Sequence, residues 1–217
     1  MKTSKITLII VILLVSIKNN NSQLKLVDEH DHLFSKGGKS MVTLATGIPY
    51  VGIAEYSYGF SDKFSAGVII GTTPVVPGYG VRVRGVIYQP SETFRVYARV
   101  PAFYYPSTKE LGGEPWLLTW PVLNAEWKLK SGVRLSVGTG IVVAACLHSL
   151  LGHSDEGEGF MGGVWNTFQT GIAVPLSRKI MFHAEVAGVF SGLKIAKKND
   201  WVGGPPVILV TGISYHF

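Results

Sequence analysis

The chain has 217 residues, of which 47% are hydrophobic and 16% charged, with 26 glycines and a formal net charge of +6. Its one cysteine, Cys146, excludes an intramolecular disulfide. The charge is no argument for a nucleic-acid partner, because residues 1–22 hold three lysines and no acidic residue, and without them 17 basic residues face 14 acidic ones.

The N-terminus has the layout of a secretory signal peptide. Lys2 and Lys5 precede an apolar run over residues 6–17, and a polar segment follows. This run is too short to span a membrane as a helix, which needs about 20 apolar residues. We therefore predict a signal peptide over 1–22, with cleavage near Ser22, and no later stretch is long enough for a spanning helix.

Residues 23–38 form a polar segment between the signal peptide and the first alternating segment. Its residues 28–32 read Asp-Glu-His-Asp-His. Such a run without fixed geometry is more typical of a solvated tail than of a metal site. Neither a metal nor a cofactor is expected.

From Lys39 onward, segments that alternate between apolar and polar residues are separated by breaks of two kinds. Short breaks with tight-turn composition lie at 61–63, 90–93, 130–132 and 177–179. Longer breaks lie at 73–78, 106–115, 147–163 and 193–205. Short turns at one end and long loops at the other are typical of transmembrane β-barrels.

The segments between the breaks predict an all-β fold, an antiparallel transmembrane β-barrel over 39–217. Ten strands are predicted, at 40–47, 51–60, 64–72, 79–89, 94–104, 116–129, 133–146, 164–176, 180–191 and 206–217. A single strand over 40–60 would be about twice the length that crosses a bilayer, which favours a hairpin there. Eight strands, with the first hairpin elsewhere, is the alternative.

The last segment ends the chain on an aromatic residue. Val207, Leu209, Ile213, Tyr215 and Phe217 share one face at a period of two. A strand of this kind closed by Phe217 resembles the C-terminal signature of bacterial outer-membrane β-barrel proteins. The resemblance implies outer-membrane localisation in a Gram-negative bacterium, with the lipid bilayer as a partner. It also implies that the short turns and the N-terminal segment 23–38 lie in the periplasm.

The same alternation assigns one face of every strand to lipid and the other to the barrel interior. Tyr56, Val68, Val83, Val133 and Phe168 are among the residues on the lipid register. No charged residue within the strands falls on that register. The inverted pattern would describe a soluble lipocalin-like barrel, but the small residues of the second face and the terminal aromatics of the first favour the membrane.

Charged residues on the interior register predict a network across the lumen. Arg84 and Arg99 lie opposite each other if Gln89 pairs with Phe94, and two like charges in such a position need compensation. The carboxylates available at that height are Glu55, Glu126 and Glu185. The alternative is a water-filled lumen that solvates each charge separately. The predicted lumen charge network consists of Glu55, Arg82, Arg84, Arg95, Arg99, Glu126, Arg134 and Glu185.

The long loops supply the remaining candidates. Loops carry function disproportionately, and six residues there are candidates for contact with a protein or another surface ligand: His148, His153, Asp155, Glu156, Glu158 and Trp201. No motif of the barrel enzymes is matched, and no catalytic residue is assigned. The sequence therefore favours a structural, binding or accessory role. An enzyme acting on lipid or peptide at the outer rim, or a narrow channel, is the alternative.

Overall fold

A computed structural model describes residues 37–48, 51–72, 77–107, 113–147, 162–194 and 207–217, and within these ranges the chain folds into eleven strands. All pair antiparallel. Among the described residues, no helix is long and apolar enough to cross a membrane. The strands are β1 (Ser40–Ile48), β2 (Gly52–Ser61), β3 (Phe64–Thr72), β4 (Pro77–Ser91), β5 (Phe94–Tyr105), β6 (Trp116–Thr119), β7 (Val122–Lys128), β8 (Arg134–Cys146), β9 (Gly162–Pro175), β10 (Ile180–Lys194) and β11 (Val207–His216).

The sheet closes on itself. β11 pairs with β1 from Met41 opposite His216 to Ile48 opposite Leu209, and β4 pairs with β5 to complete the ring. Strands β6 and β7 both lie between β5 and β8, so the eleven strands fill ten positions of the barrel. The predicted ten-stranded antiparallel barrel is confirmed.

The gap between β6 and β7 has a local cause. Proline has no backbone N–H to donate to a ladder, and Pro121 follows Trp120 at the gap, with Pro101 on the neighbouring strand β5. The backbone N–H of Trp120 donates to the carbonyl oxygen of Pro101 at 3.1 Å, so the register is kept across the gap. The single strand predicted over 116–129 is therefore two strands in one line.

The two ends of the barrel differ. At one end, which we call the short-turn rim, tight connections join β2 to β3, β4 to β5, β7 to β8 and β9 to β10. The backbone N–H of Phe217 donates to the carbonyl oxygen of Ser40 there, at 3.0 Å. The Gly132 backbone has φ +79°, a conformation that glycine adopts at little cost, in the turn before β8. The other end, the long-loop rim, has the connections at 49–51, 73–76, 106–115, 147–161 and 195–206.

The outside of the barrel is an apolar belt. Leu44, Val68, Ile70, Val81 and Leu209 are each more than a third exposed, and the charged side chains described within the strands lie on the opposite register. Aromatic rings pack together near the short-turn rim: Phe94 with Trp127, Tyr58 with Phe60, and Tyr215 with Phe217. An apolar band bounded by aromatic rings is the surface that a bilayer requires. Val133 is an exception to the prediction, because it is buried in the turn before β8 rather than exposed to lipid.

Candidate functional site: the charged lumen

The interior of the barrel contains buried charge. Arg84, Glu55 and Glu126 are each at most 2% exposed, and Arg95 and Arg99 are also buried. These residues lie on the inward register because successive side chains of a strand point to opposite faces. A buried charge is tolerated when it is paired and hydrogen-bonded. The contacts of these residues fall into three groups.

The first group joins β2 to β4 across the inward face of β3. The Glu55 carboxylate lies 2.5 Å from Nη1 of Arg82, measured at Oε2. Nη2 of Arg84 lies 2.7 Å from Oε1 and 2.9 Å from Oε2 of the same carboxylate, with hydrogen-bond geometry to Oε2. One carboxylate thus serves two guanidinium groups.

The second group crosses the lumen. Arg99 of β5 binds Glu185 of β10 through two hydrogen bonds, Nη1 to Oε2 at 2.8 Å and Nη2 to Oε1 at 2.5 Å. Its Nη2 also donates to Oε1 of Gln169 on β9 at 3.1 Å, and the Gln169 amide donates to Oδ1 of Asn124 on β7. This bidentate pair connects strands on opposite walls, which is the geometry that gives arginine–carboxylate pairs their specificity.

The third group lies at the β5–β7–β8 wall. Oε1 of Glu126 is 2.7 Å from Nη2 of Arg95 and 2.8 Å from Nη1 of Arg134. The guanidinium of Arg95 also lies over the ring of Tyr97, 5.4 Å from its centroid. The sequence predicts one belt for five of these residues, Glu55, Arg84, Arg99, Glu126 and Glu185. The described contacts divide the five arginines of the network among three carboxylates.

Arg84 and Arg99 lie directly opposite each other in the β4–β5 register, as predicted. The predicted pairing of Gln89 with Phe94 is wrong, because Ser91 lies opposite Phe94 and two register shifts follow between Ser91 and Val86. Like charges in this position destabilise a sheet unless they are compensated. Here the two guanidinium groups turn to different carboxylates, Arg84 to Glu55 and Arg99 to Glu185. The opposed arginines are therefore held apart by acidic groups from other strands.

An apolar layer lies inside the lumen next to the charges, and one of its members, Ile69, is directly opposite Glu55 in the β2–β3 register. Ile69, Phe103 and Tyr105 are buried together, and Ile53, Trp116 and Leu118 pack against them. The rings of Phe103 and Tyr105 stack with centroids 6.2 Å apart. Tyr105 lies over Gly78, where an added Cβ would come within 2.7 Å of the ring. Sequence reasoning missed this layer, although Phe103 and Tyr105 share the inward register of Arg99 and could have been found from it.

The other candidates lie apart from this site. His148, His153, Asp155, Glu156, Glu158 and Trp201 all fall outside the described residues. At the end of β8, the Cys146 thiol is buried and donates to a carboxylate oxygen of Glu114 at 3.8 Å. Within the described ranges no group of three or more metal-ligating side chains is found.

The chain is similar to solved structures of outer-membrane barrels. The OprG outer-membrane protein of Pseudomonas aeruginosa is 13% identical, with a TM-score of 0.35, and the match covers 86% of this chain and 99% of that one. The KdgM porin is 10% identical, with a TM-score of 0.40 and coverage of 82% and 99%. The N-terminal β-barrel domain of Pseudomonas aeruginosa OprF is 9% identical, with a TM-score of 0.33 and coverage of 82% and 96%.

No family model matches the chain, and no curated protein matches it. The assignment of the fold rests on the barrel itself. Its sheet is closed, its exterior is an apolar belt with aromatic rings near the short-turn rim, and its buried charges face inward. With these features the chain is a small transmembrane β-barrel of the bacterial outer-membrane type.

Proposed function

We propose that this protein is a non-conducting outer-membrane barrel that holds its long loops at the cell surface as a binding or accessory module. The observation that carries the proposal is the set of buried side chains inside the lumen, an apolar layer and three ion-pair groups. Barrels of about eight strands have interiors that side chains can fill, whereas aqueous pores need about 16 strands. In a barrel of ten strands, these side chains occupy space that a continuous water path would need.

The proposal also assigns a role or a location to each part of the chain. Residues 1–22 act as a signal peptide, residues 23–38 lie in the periplasm next to the short-turn rim, and residues 39–217 form the barrel. The rim assignment is supported by the connections, since outer-membrane barrels have short periplasmic turns and long extracellular loops. His148, His153, Asp155, Glu156, Glu158 and Trp201 are the contact candidates on the extracellular side.

We expect the folded protein to partition with outer membranes and to migrate faster on a denaturing gel when it has not been boiled. A closed barrel resists detergent unfolding until it is heated, so the compact form should remain visible. Cell fractionation and paired boiled and unboiled lanes measure both properties. Recovery as a detergent-free soluble periplasmic monomer would contradict the proposal.

We also expect no steady current when the purified protein is inserted in planar lipid bilayers. The test needs a matched control with an emptied lumen, and Phe103→Gly combined with Tyr105→Gly and Arg99→Ala is suitable. This variant removes the two aromatic rings of the apolar layer and the cross-lumen pair, all on one strand, and it should conduct more often than the wild type. Large, steady, ion-selective currents from the wild type would instead favour a channel.

The binding role is tested at the longest loop. Replacing residues 148–161 by a short Gly-Ser linker should abolish association with the species that cross-links to the wild type on intact cells. The same variant should keep its unboiled gel mobility, because the barrel strands are unchanged. Unaltered cross-linking by a folded variant would show that this loop is not the contact site.

A further inference from the structure

The Glu55 group has more positive than negative charge. Arg82 and Arg84 both bind the one carboxylate of Glu55, which leaves an excess of one positive charge in a buried part of the lumen. Arg84 is 2% exposed and the side chain of Glu55 is fully buried. The Arg99–Glu185 pair, by contrast, balances one charge with one charge. Arg95 and Arg134 on Glu126 have the same excess as the Glu55 group, so charge alone does not distinguish the two groups.

The same group has buried donors that are left over. Among the described residues, Nε and Nη1 of Arg84 and Nε of Arg82 have no hydrogen-bond acceptor. Ser65, at 0% exposure, also has no partner for its hydroxyl, and it lies directly opposite Arg84 in the β3–β4 register. Leaving such donors unsatisfied is costly, and more so for charged groups. An unsatisfied buried donor in a native fold calls for a ligand, an ion or water.

We propose that Arg84, Arg82 and Ser65 bind a small monovalent inorganic anion of the chloride class inside the lumen. The charge fits, because one such anion neutralises the one excess guanidinium. The chemistry fits, because the leftover groups at Arg84, Arg82 and Ser65 can all donate. The one leftover acceptor of this group is Oε1 of Glu55, which lies 2.7 Å from Nη2 of Arg84, so the anion binds the donors that point away from this carboxylate oxygen. The anion completes the charge balance of the β2–β4 wall and stabilises the folded barrel.

The experiment measures unfolding rates in a fixed urea concentration, in detergent, after refolding in chloride or in gluconate at constant ionic strength. A ligand that binds only the folded state stabilises it by mass action, so a site with Kd of about 10 mM should slow unfolding about tenfold at 100 mM chloride. Bromide should act in the same way. In crystals grown with bromide, its anomalous signal should lie between Arg84 and Ser65.

Two variants locate the site, each compared with its own rate in gluconate. Ser65→Ala removes one neutral donor and should weaken the chloride effect several-fold, and Arg84→Gln should abolish it. Arg134→Gln is the control, because Arg134 also shares a buried carboxylate, that of Glu126, and its chloride effect should be retained. A wild type insensitive to chloride would show that water satisfies these donors. A full chloride effect in Ser65→Ala and Arg84→Gln would also overturn the site.

Discussion

Replacing Glu126 by glutamine is expected to lower the free energy of unfolding by about 3–5 kcal/mol, the cost of removing one partner from a buried ion pair. Glu126 is 1% exposed and lies within 2.8 Å of guanidinium nitrogens of both Arg95 and Arg134. The amide keeps the shape of the side chain and one acceptor oxygen, but it removes the charge and replaces the second acceptor by an NH2 donor. Two guanidinium groups then lie beside each other without a counter-charge. Urea unfolding in detergent measures the loss.

Glu92→Gln is the matched control for this substitution. Glu92 is exposed in the turn between β4 and β5, where removal of a charge usually changes stability by less than about 0.5 kcal/mol. The double variant Glu126→Gln/Arg134→Gln should lose less than the sum of its singles, because the second change removes one of the uncompensated charges. Double-mutant cycles detect such coupling between residues in contact.

The stability loss measured for Glu126→Gln distinguishes a lumen with buried ion pairs from a water-filled lumen. If water solvated each charge separately, the pair would behave like an exposed salt bridge, which contributes about 0–1 kcal/mol. A loss below about 1 kcal/mol in Glu126→Gln, together with additive doubles, would therefore show a hydrated interior. It would also weaken the proposal that the barrel is occluded, since a hydrated interior is the first requirement of a channel.

The period of two in the sequence was enough to predict the fold. It separated Arg99 and Glu185 from Val100 and Val186 without any knowledge of neighbouring strands. The period is a local property, so one sequence is sufficient to find it.

The opposition of Arg84 and Arg99 was predicted from a turn register that the structure does not have, because Ser91 and not Gln89 lies opposite Phe94. Two register shifts between Ser91 and Val86 bring Arg84 opposite Arg99, and turn composition alone does not specify such irregularities.

The partner of each arginine, unlike the face on which it lies, could not be predicted from the local sequence pattern. Arg99 meets Glu185 only because the sheet closes and brings β5 opposite β10. This contact depends on the register of every intervening pair and on the tilt of the strands, which no short segment specifies. The gap at Trp120 was missed for a related reason. A proline can be accommodated at the edge of a ladder or can interrupt it, and the neighbouring Pro101 matters as much as Pro121 itself.

Replacing Val68 by arginine is expected to destabilise the folded barrel by about 2–4 kcal/mol, the cost of a lipid-facing arginine at the bilayer midplane. Val68 is the central residue of the nine in β3, and its side chain is exposed on the apolar belt. A strand of nine residues is about the length that crosses a bilayer, so its centre lies deepest in the hydrocarbon. Urea unfolding of protein folded in phospholipid vesicles measures the loss.

Thr72→Arg provides the control on the same strand and the same face. Thr72 ends β3 at the long-loop rim, where an arginine reaches water and costs about 0–1 kcal/mol. In a soluble barrel with this fold, both substitutions would be ordinary surface changes within about 0.5 kcal/mol. Equal and small effects at the two positions would therefore contradict the membrane assignment. A large cost at Val68 with a small cost at Thr72 requires a low-dielectric layer around the middle of the barrel, which a soluble lipocalin-like orientation does not have.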